Sequence, residues 1–155
     1  MERRVEPYSE PYTIEDIIPH RGRMKLIDEI LGYDGVTAET AATVTENWPL
    51  VENGKAGPVI MIELIAQTGG ISVGLEALKK SAEKKGGRGW IVGVKSARFY
   101  TDGIQVGTRL VCRATKTFEQ EFYSLLDGEI YDAGRLIGEV SIQVMRAETS
   151  IPEGI

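Results

Sequence analysis

Histidine and cysteine are nearly missing from this chain of 155 residues, which has one of each, His20 and Cys112. A single cysteine excludes an intrachain disulfide. One histidine and one cysteine also exclude a multi-histidine or cysteine-cluster metal site within a subunit. No metal and no other cofactor is implied, and a reducing compartment suits the composition. Positive charge is scarce as well: 18 Lys and Arg face 23 Asp and Glu, for a net charge of -5. That balance argues against nucleic acid as the main partner. No apolar run follows the charged N-terminal residues, so neither a signal peptide nor a membrane span is expected, and the expected location is cytoplasmic.

What is present is enough for one domain with a sizeable core, 1–155, carrying a loose N-terminal arm over 1–12. Thr13-Ile-Glu-Asp16 has the spacing of a capping box opening a short helical turn. Met24 to Tyr33 and Val36 to Thr45 read as strands around an Asp34-Gly35 turn. Glu46 to Gly57, with Pro49, Gly54 and no clear period, reads as a loop. Pro58 then suits the first turn of a long helix that Gly86-Gly87 would stop near Lys84. Gly89 to Tyr100, Arg109 to Gln120, Phe122 to Tyr131 and Arg135 to Arg146 follow as strands, with turn signals at Asp127-Gly128 and Asp132-Ala-Gly134. The strand opening at Gly89 is apolar on both faces, as a central strand would be, and Trp90 is expected in the core. Strands without crossover helices make an antiparallel sheet. The fold class is therefore α+β, one long helix against a curved antiparallel sheet.

Chemistry concentrates in that helix, Pro58-Val-Ile-Met-Ile-Glu63-Leu-Ile-Ala-Gln67-Thr-Gly-Gly70. Glu63 lies among apolar residues with no basic side chain within a helical turn. Burial of an unpaired carboxylate is expected to raise its pKa, which suits a general acid or base. Gln67, at i+4, shares its face, and Gly70 and Gly74 leave that face open to a close neighbour or a ligand chain.

Four segments together carry a resemblance. They are Ile-Ile-Pro19-His20-Arg21 running on to Asp28, Glu63-Leu-Ile-Ala-Gln67, Gly93-Val-Lys-Ser-Ala-Arg98-Phe99, and Asp102-Gly-Ile-Gln-Val-Gly107-Thr108. In this order and spacing the chain resembles the hotdog-fold 3-hydroxyacyl-(acyl carrier protein) dehydratases, from Ile14 to Met145. The resemblance implies a helix wrapped by its sheet and an acyl tunnel at a subunit interface. It also implies a thioester on acyl carrier protein or coenzyme A, in fatty acid or polyketide metabolism. The family's loop histidine is missing. Asn47-Trp48-Pro49 stands where it would fall, as in a divergent branch of the family.

On this resemblance Glu63 is the acid-base and His20 its candidate partner. The plainer reading of His20 is a turn residue bonded to backbone. Gln67 either orients Glu63 or packs as a buried amide. Gly57 and Pro58 would supply the helix N-terminus to the thioester oxygen, Trp48 would plug or line the tunnel, and Tyr100 could face it. Glu52 and Asn53 could position a water. Lys84, Lys85, Arg88 and Arg98 would steer an acidic carrier, or merely solvate a helix end. A homodimer or higher homo-oligomer is expected, with no membrane and no nucleic acid. Three activities stay open: dehydration, thioester hydrolysis, and a non-catalytic subunit paired with an active dehydratase.

Overall fold

The computed structural model describes residues 5–80 and 89–146. Thr13 caps a single helical turn, α1 (Ile14–Ile17), through the expected reciprocal box with Asp16. A 3-10 turn follows at Gly22–Met24. The strands are β1 (Glu29–Tyr33), β2 (Thr37–Thr43), a small hairpin of β3 (Val51–Glu52) and β4 (Lys55–Ala56), β5 (Gly89–Phe99), β6 (Ile104–Gln105), β7 (Arg109–Gln120), β8 (Tyr123–Asp132) and β9 (Arg135–Arg146). The long helix, α2 (Ile60–Lys80), separates β4 from β5. Six strands form one antiparallel sheet in the order β1-β2-β7-β8-β9-β5, and β3-β4-β6 form a second, small one. The large sheet and α2 make the α+β hotdog arrangement.

Helix α2 carries Gly69, Gly70 and Gly74, each of which weakens an isolated helix by roughly 1 kcal/mol relative to alanine. Packing explains two of them. A Cβ on Gly69 would fall 2.3 Å from Leu126 Cδ1, and one on Gly74 would fall 2.6 Å from Ile17 Cγ2. The sheet and α1 thus approach the helix at backbone distance. The space expected beside Gly74 is filled by α1 itself. Ile60, Met61, Leu64, Ile65, Ile71 and Leu75 are buried between helix and sheet. In length and hydropathy α2 could cross a membrane, but 67% of its most apolar window is buried in the fold, as in a core helix.

Polar groups in this core pair with one another. Thr68 donates its hydroxyl to Leu64 O at 2.7 Å, so the 2.8 Å contact with Thr40 must be donated by Thr40. Cys112 is wholly buried beside both threonines, and desolvation pushes its thiol up to about 12.

Several expectations are corrected. The N-terminal arm is not loose where it is described. Tyr8 N–H donates to Leu31 O and Tyr33 N–H to Glu6 O, so the arm lies along β1 as a partial extra strand. Gly32 permits this, since a Cβ there would fall 2.6 Å from Glu6 O. The first strand starts at Glu29, not Met24, because Gly22–Met24 closes a 3-10 turn. The region from Glu46 to Gly57 is not all loop: Asn53 and Gly54, at φ 53° and 76°, turn the β3–β4 hairpin. Asp127-Gly128 is not a turn but lies inside β8, where Gly128 leaves room for Ile65 of α2. Helix residues beyond Lys80 fall outside the described residues.

The largest correction concerns β5. Among the described residues it is an edge strand, hydrogen-bonded only to β9, and not a central one. Trp90 is 53% exposed, and Ile91, Val92 and Val94 are exposed with it. Apolarity on both faces of this strand does not signal burial within the chain; among the described residues it marks an open surface.

Gly128→Val places side-chain atoms inside Ile65. We expect it to destabilise the fold by about 1–3 kcal/mol, the range for an overpacked core, measured by urea denaturation.

Candidate active site

The sequence puts Glu63 in the first turn of α2, where the helix N-terminus favours an anion. The chain from Pro19 to Ile27 is laid across that turn by the side chain of Gln67. Leu26 N–H and Ile27 N–H both point at one end of its amide, at 2.9 and 3.4 Å. Two donors identify that end as the oxygen. The nitrogen end then donates to Met24 O at 2.6 Å and to Glu63 Oε1 at 3.0 Å. Gln67 is completely buried, and every hydrogen-bonding group it presents is used for position. It therefore does more than fill space: it joins the incoming strand to the carboxylate.

His20 arrives opposite Glu63. Its Nε2 lies 3.1 Å from Glu63 Oε1 within the same chain. An ionised carboxylate only accepts, so Nε2 carries the hydrogen of this bond. In neutral imidazole the lone pair is then on Nδ1, which is buried without a hydrogen-bond partner. The backbone that presents His20 is held by Arg21, whose guanidinium donates to the carbonyls of Glu15, Ile18 and His20 at 2.6, 2.7 and 2.8 Å. Gln67 and His20 both meet Oε1 of Glu63, and among the described residues no partner is on Oε2, the oxygen that can meet a ligand.

The expected rise in the Glu63 pKa does not occur. Desolvation does oppose ionisation and is the largest single influence, but the hydrogen bonds from His20 and Gln67, with the electrostatic attraction of His20, outweigh it and hold the carboxyl below its ordinary value. What the sequence concealed was a partner from 43 residues away along the chain (63 minus 20). The site thus holds a carboxylate in its charged form beside an imidazole. That pair can accept one proton and deliver another.

A cavity of about 250 Å³ opens against the pair. Ile17, Ile18 and Pro19 line it on one side and Ala66, Gly70 and Val73 of α2 on another; Trp90 and Ile91 of β5 and Val144 of β9 complete it. It accommodates an apolar chain with polar chemistry at one end. Gly70 is where the expected open helix face survives.

Other candidate residues are placed elsewhere in the single chain. Trp48 is buried in the hydrophobic core and does not line the cavity. Gly57 and Pro58 precede α2, where Gly57 O accepts from Ile60 N–H, and they too are not in the wall. Glu52 and Asn53 belong to the β3–β4 hairpin. Tyr100 is half exposed and donates to Glu139 at 2.5 Å. Arg98 pairs across the sheet with Glu139, which in turn faces Glu129. Gly128, next to Glu129, presents its Cβ position to α2, so Glu129, Glu139 and Arg98 occupy the opposite face of the sheet. Arg98 therefore sits in a groove with Asp127, Glu129 and Glu139, acidic surroundings that do not suit an acidic carrier. Lys84, Lys85 and Arg88 lie outside the described residues. Among the described residues, no cluster of three or more His, Cys, Asp or Glu side chains could hold a metal ion.

The family model for ApeP-like proteins, described as ApeP dehydratase, matches residues 12–152, and the chain belongs to that family. Among solved structures it is similar to the dehydratase heterocomplex ApeI:P from Xenorhabdus doucetiae, at 17% identity and a TM-score of 0.81 over 91% of this chain and 95% of that one. It is similar at 14% identity to a hypothetical thioesterase with coenzyme A from Streptococcus pneumoniae, with a TM-score of 0.60 over 77% of this chain and 84% of that one. The E. coli PaaI protein of the phenylacetic acid degradation operon has 12% identity and a TM-score of 0.57, over 76% and 82%. No curated protein matches by sequence. The protein is a hotdog-fold member of the dehydratase family.

The lowered Glu63 pKa has a signed consequence for stability. Below its ordinary value of 4.5 the unfolded chain takes up a proton that the folded chain still resists. The contribution of Glu63 is thus full above that value and is lost as pH falls through the folded pKa. Glu15 and Glu119 are also held low by their lysine partners, but they are common to both proteins in a comparison with Glu63→Gln. We expect the difference in stability between wild type and Glu63→Gln to shrink on acidification, measured by denaturation at a series of pH values.

Proposed function

We propose that this chain dehydrates 3-hydroxyacyl thioesters, with Glu63 and His20 of one chain as the reacting pair. The observation that carries the reading is the 3.1 Å contact between a carboxylate held ionised and the chain's sole histidine, at the head of an apolar cavity. Glu63, through Oε2, takes the proton α to the thioester carbonyl. Protonated His20 gives its Nε2 proton to the departing 3-hydroxyl. The C–O bond breaks, the new double bond forms between C2 and C3, and water leaves. The proton now on Glu63 passes to His20, which restores the pair. The acyl chain would lie in the cavity, delivered on the pantetheine arm of an acyl carrier protein or coenzyme A, in fatty acid or polyketide metabolism in the cytoplasm.

The free edge of β5 supports an oligomer. Among the described residues its main-chain groups have no strand beyond them, and its exposed Trp90 and Ile91 are also walls of the cavity. A second copy added there would lengthen the sheet and close the cavity. A dehydratase subunit at the same edge is the other arrangement, in keeping with the solved relative, which is itself a heterocomplex.

One panel of 3-hydroxyacyl and saturated acyl pantetheine thioesters separates dehydration from hydrolysis, and light scattering gives the oligomer. We expect dehydration by the isolated chain, lowered about 10²–10⁴-fold by His20→Gln or Glu63→Gln, the usual scale of a lost acid-base group. Hydrolysis alone would make it a thioesterase. Turnover unchanged in His20→Gln would remove the histidine from the mechanism. No turnover without an added dehydratase would make the chain a partner subunit.

A further inference from the structure

We propose that Arg21 is the positioning residue of the site: its guanidinium, by holding three main-chain carbonyls, sets His20 against Glu63. This rests on the dyad as the reacting pair. A four-residue helix such as α1 cannot satisfy its own terminal carbonyls. Its one internal closing bond runs from Ile18 N–H to Ile14 O, leaving Glu15 O and Ile18 O to be met otherwise. Arg21 meets both, with Nη2 on Glu15 O at 2.6 Å and Nη1 on Ile18 O at 2.7 Å. The same Nη1 also donates to His20 O at 2.8 Å.

The three acceptors bracket the turn Ile18-Pro19-His20. Pro19 fixes one backbone angle of that turn, and the guanidinium fixes the distance between its ends. The imidazole projects from a segment tied on both sides, by Arg21 before the 3-10 turn and by Gln67 after it. Only the Arg21 tie touches the residue that carries the imidazole. Lysine cannot replace it, since one ammonium group lacks the planar fork needed to span three carbonyls. The rival explanation is that Arg21 merely caps α1. A cap would affect melting but would leave the imidazole as it is.

The single histidine makes the test unambiguous. The full chain labelled with ¹⁵N-histidine yields one set of imidazole signals. At a pH where the imidazole is neutral we expect the wild-type proton on Nε2, and a shift of the Nε2 signal on Glu63→Gln. In Arg21→Lys we expect mixed tautomers and signals that no longer respond to Glu63→Gln. Lys25→Ala is the control: it removes the ion pair with Glu15 on the same helix but none of the three carbonyl bonds, and should keep the wild-type signals. Wild-type imidazole signals in Arg21→Lys, still responsive to Glu63→Gln, would overturn the proposal. Should Arg21→Lys not fold, the wild-type Arg21 resonances decide. A coupling across the hydrogen bond from Nη1 to the His20 carbonyl carbon supports the clamp, and couplings to Glu15 and Ile18 alone, which a cap would give, refute it.

Turnover supplies the second reading. A displaced imidazole should lower kcat on the order of tenfold while KM stays within about twofold, since misplacement by an ångström costs rate more than binding. The imidazole signals need no substrate, so they can fail while dehydration stands, and hold if dehydration fails.

Discussion

The site is organised around one buried amide. Gln67 accepts two main-chain N–H groups of the strand entry and donates to a carbonyl of that segment and to Glu63. An amide buried with its groups unmet would cost about 1–3 kcal/mol, so the helix and the entering chain are bound to meet in one register. That register brings Pro19-His20-Arg21 over the first turn of α2. Without the amide, the half-buried Glu63 would lose one of its two donors, and the segment that carries the imidazole would lose its tie to α2.

The ionisation of Glu63 shows how local and distant influences compete. Its own neighbours in sequence are apolar and push the carboxyl toward neutrality. The groups that reverse this are two hydrogen-bond donors, His20 and Gln67, delivered by tertiary structure. Removing bulk water raises the weight of both effects, since hydrogen bonds and charges act more strongly where the dielectric is low. The outcome depends on whether donors are present, and here they are.

Much of the architecture was legible because its signals are local. The apolar helix ending in lysines, the Thr13–Asp16 box, and the strands Arg109–Gln120 and Arg135–Arg146 follow from period and capping. The hairpin at Asn53-Gly54 was not read, because two-residue strands have no period to detect. Asp127-Gly128 imitates a turn in sequence, whereas Gly128 is there to admit Ile65. In the site, Glu63 and Gln67 could be named from their spacing on one helix face. Their relation to His20 could only be suspected, since no pattern encodes a contact across 43 positions. Trp90 misled because an apolar strand has the same appearance whether its cover comes from the same chain or from another molecule.

The two rims of the large sheet are treated differently. At β1 the chain's own arm occupies the rim, and Gly32 is bare of side chain so that it can lie close. At β5 nothing from the described chain does so. A sheet with two vacant rims can add molecules head to tail without end, the route to fibres. With one rim already occupied, growth by strand addition has a single valence, and it stops once two sheets have joined.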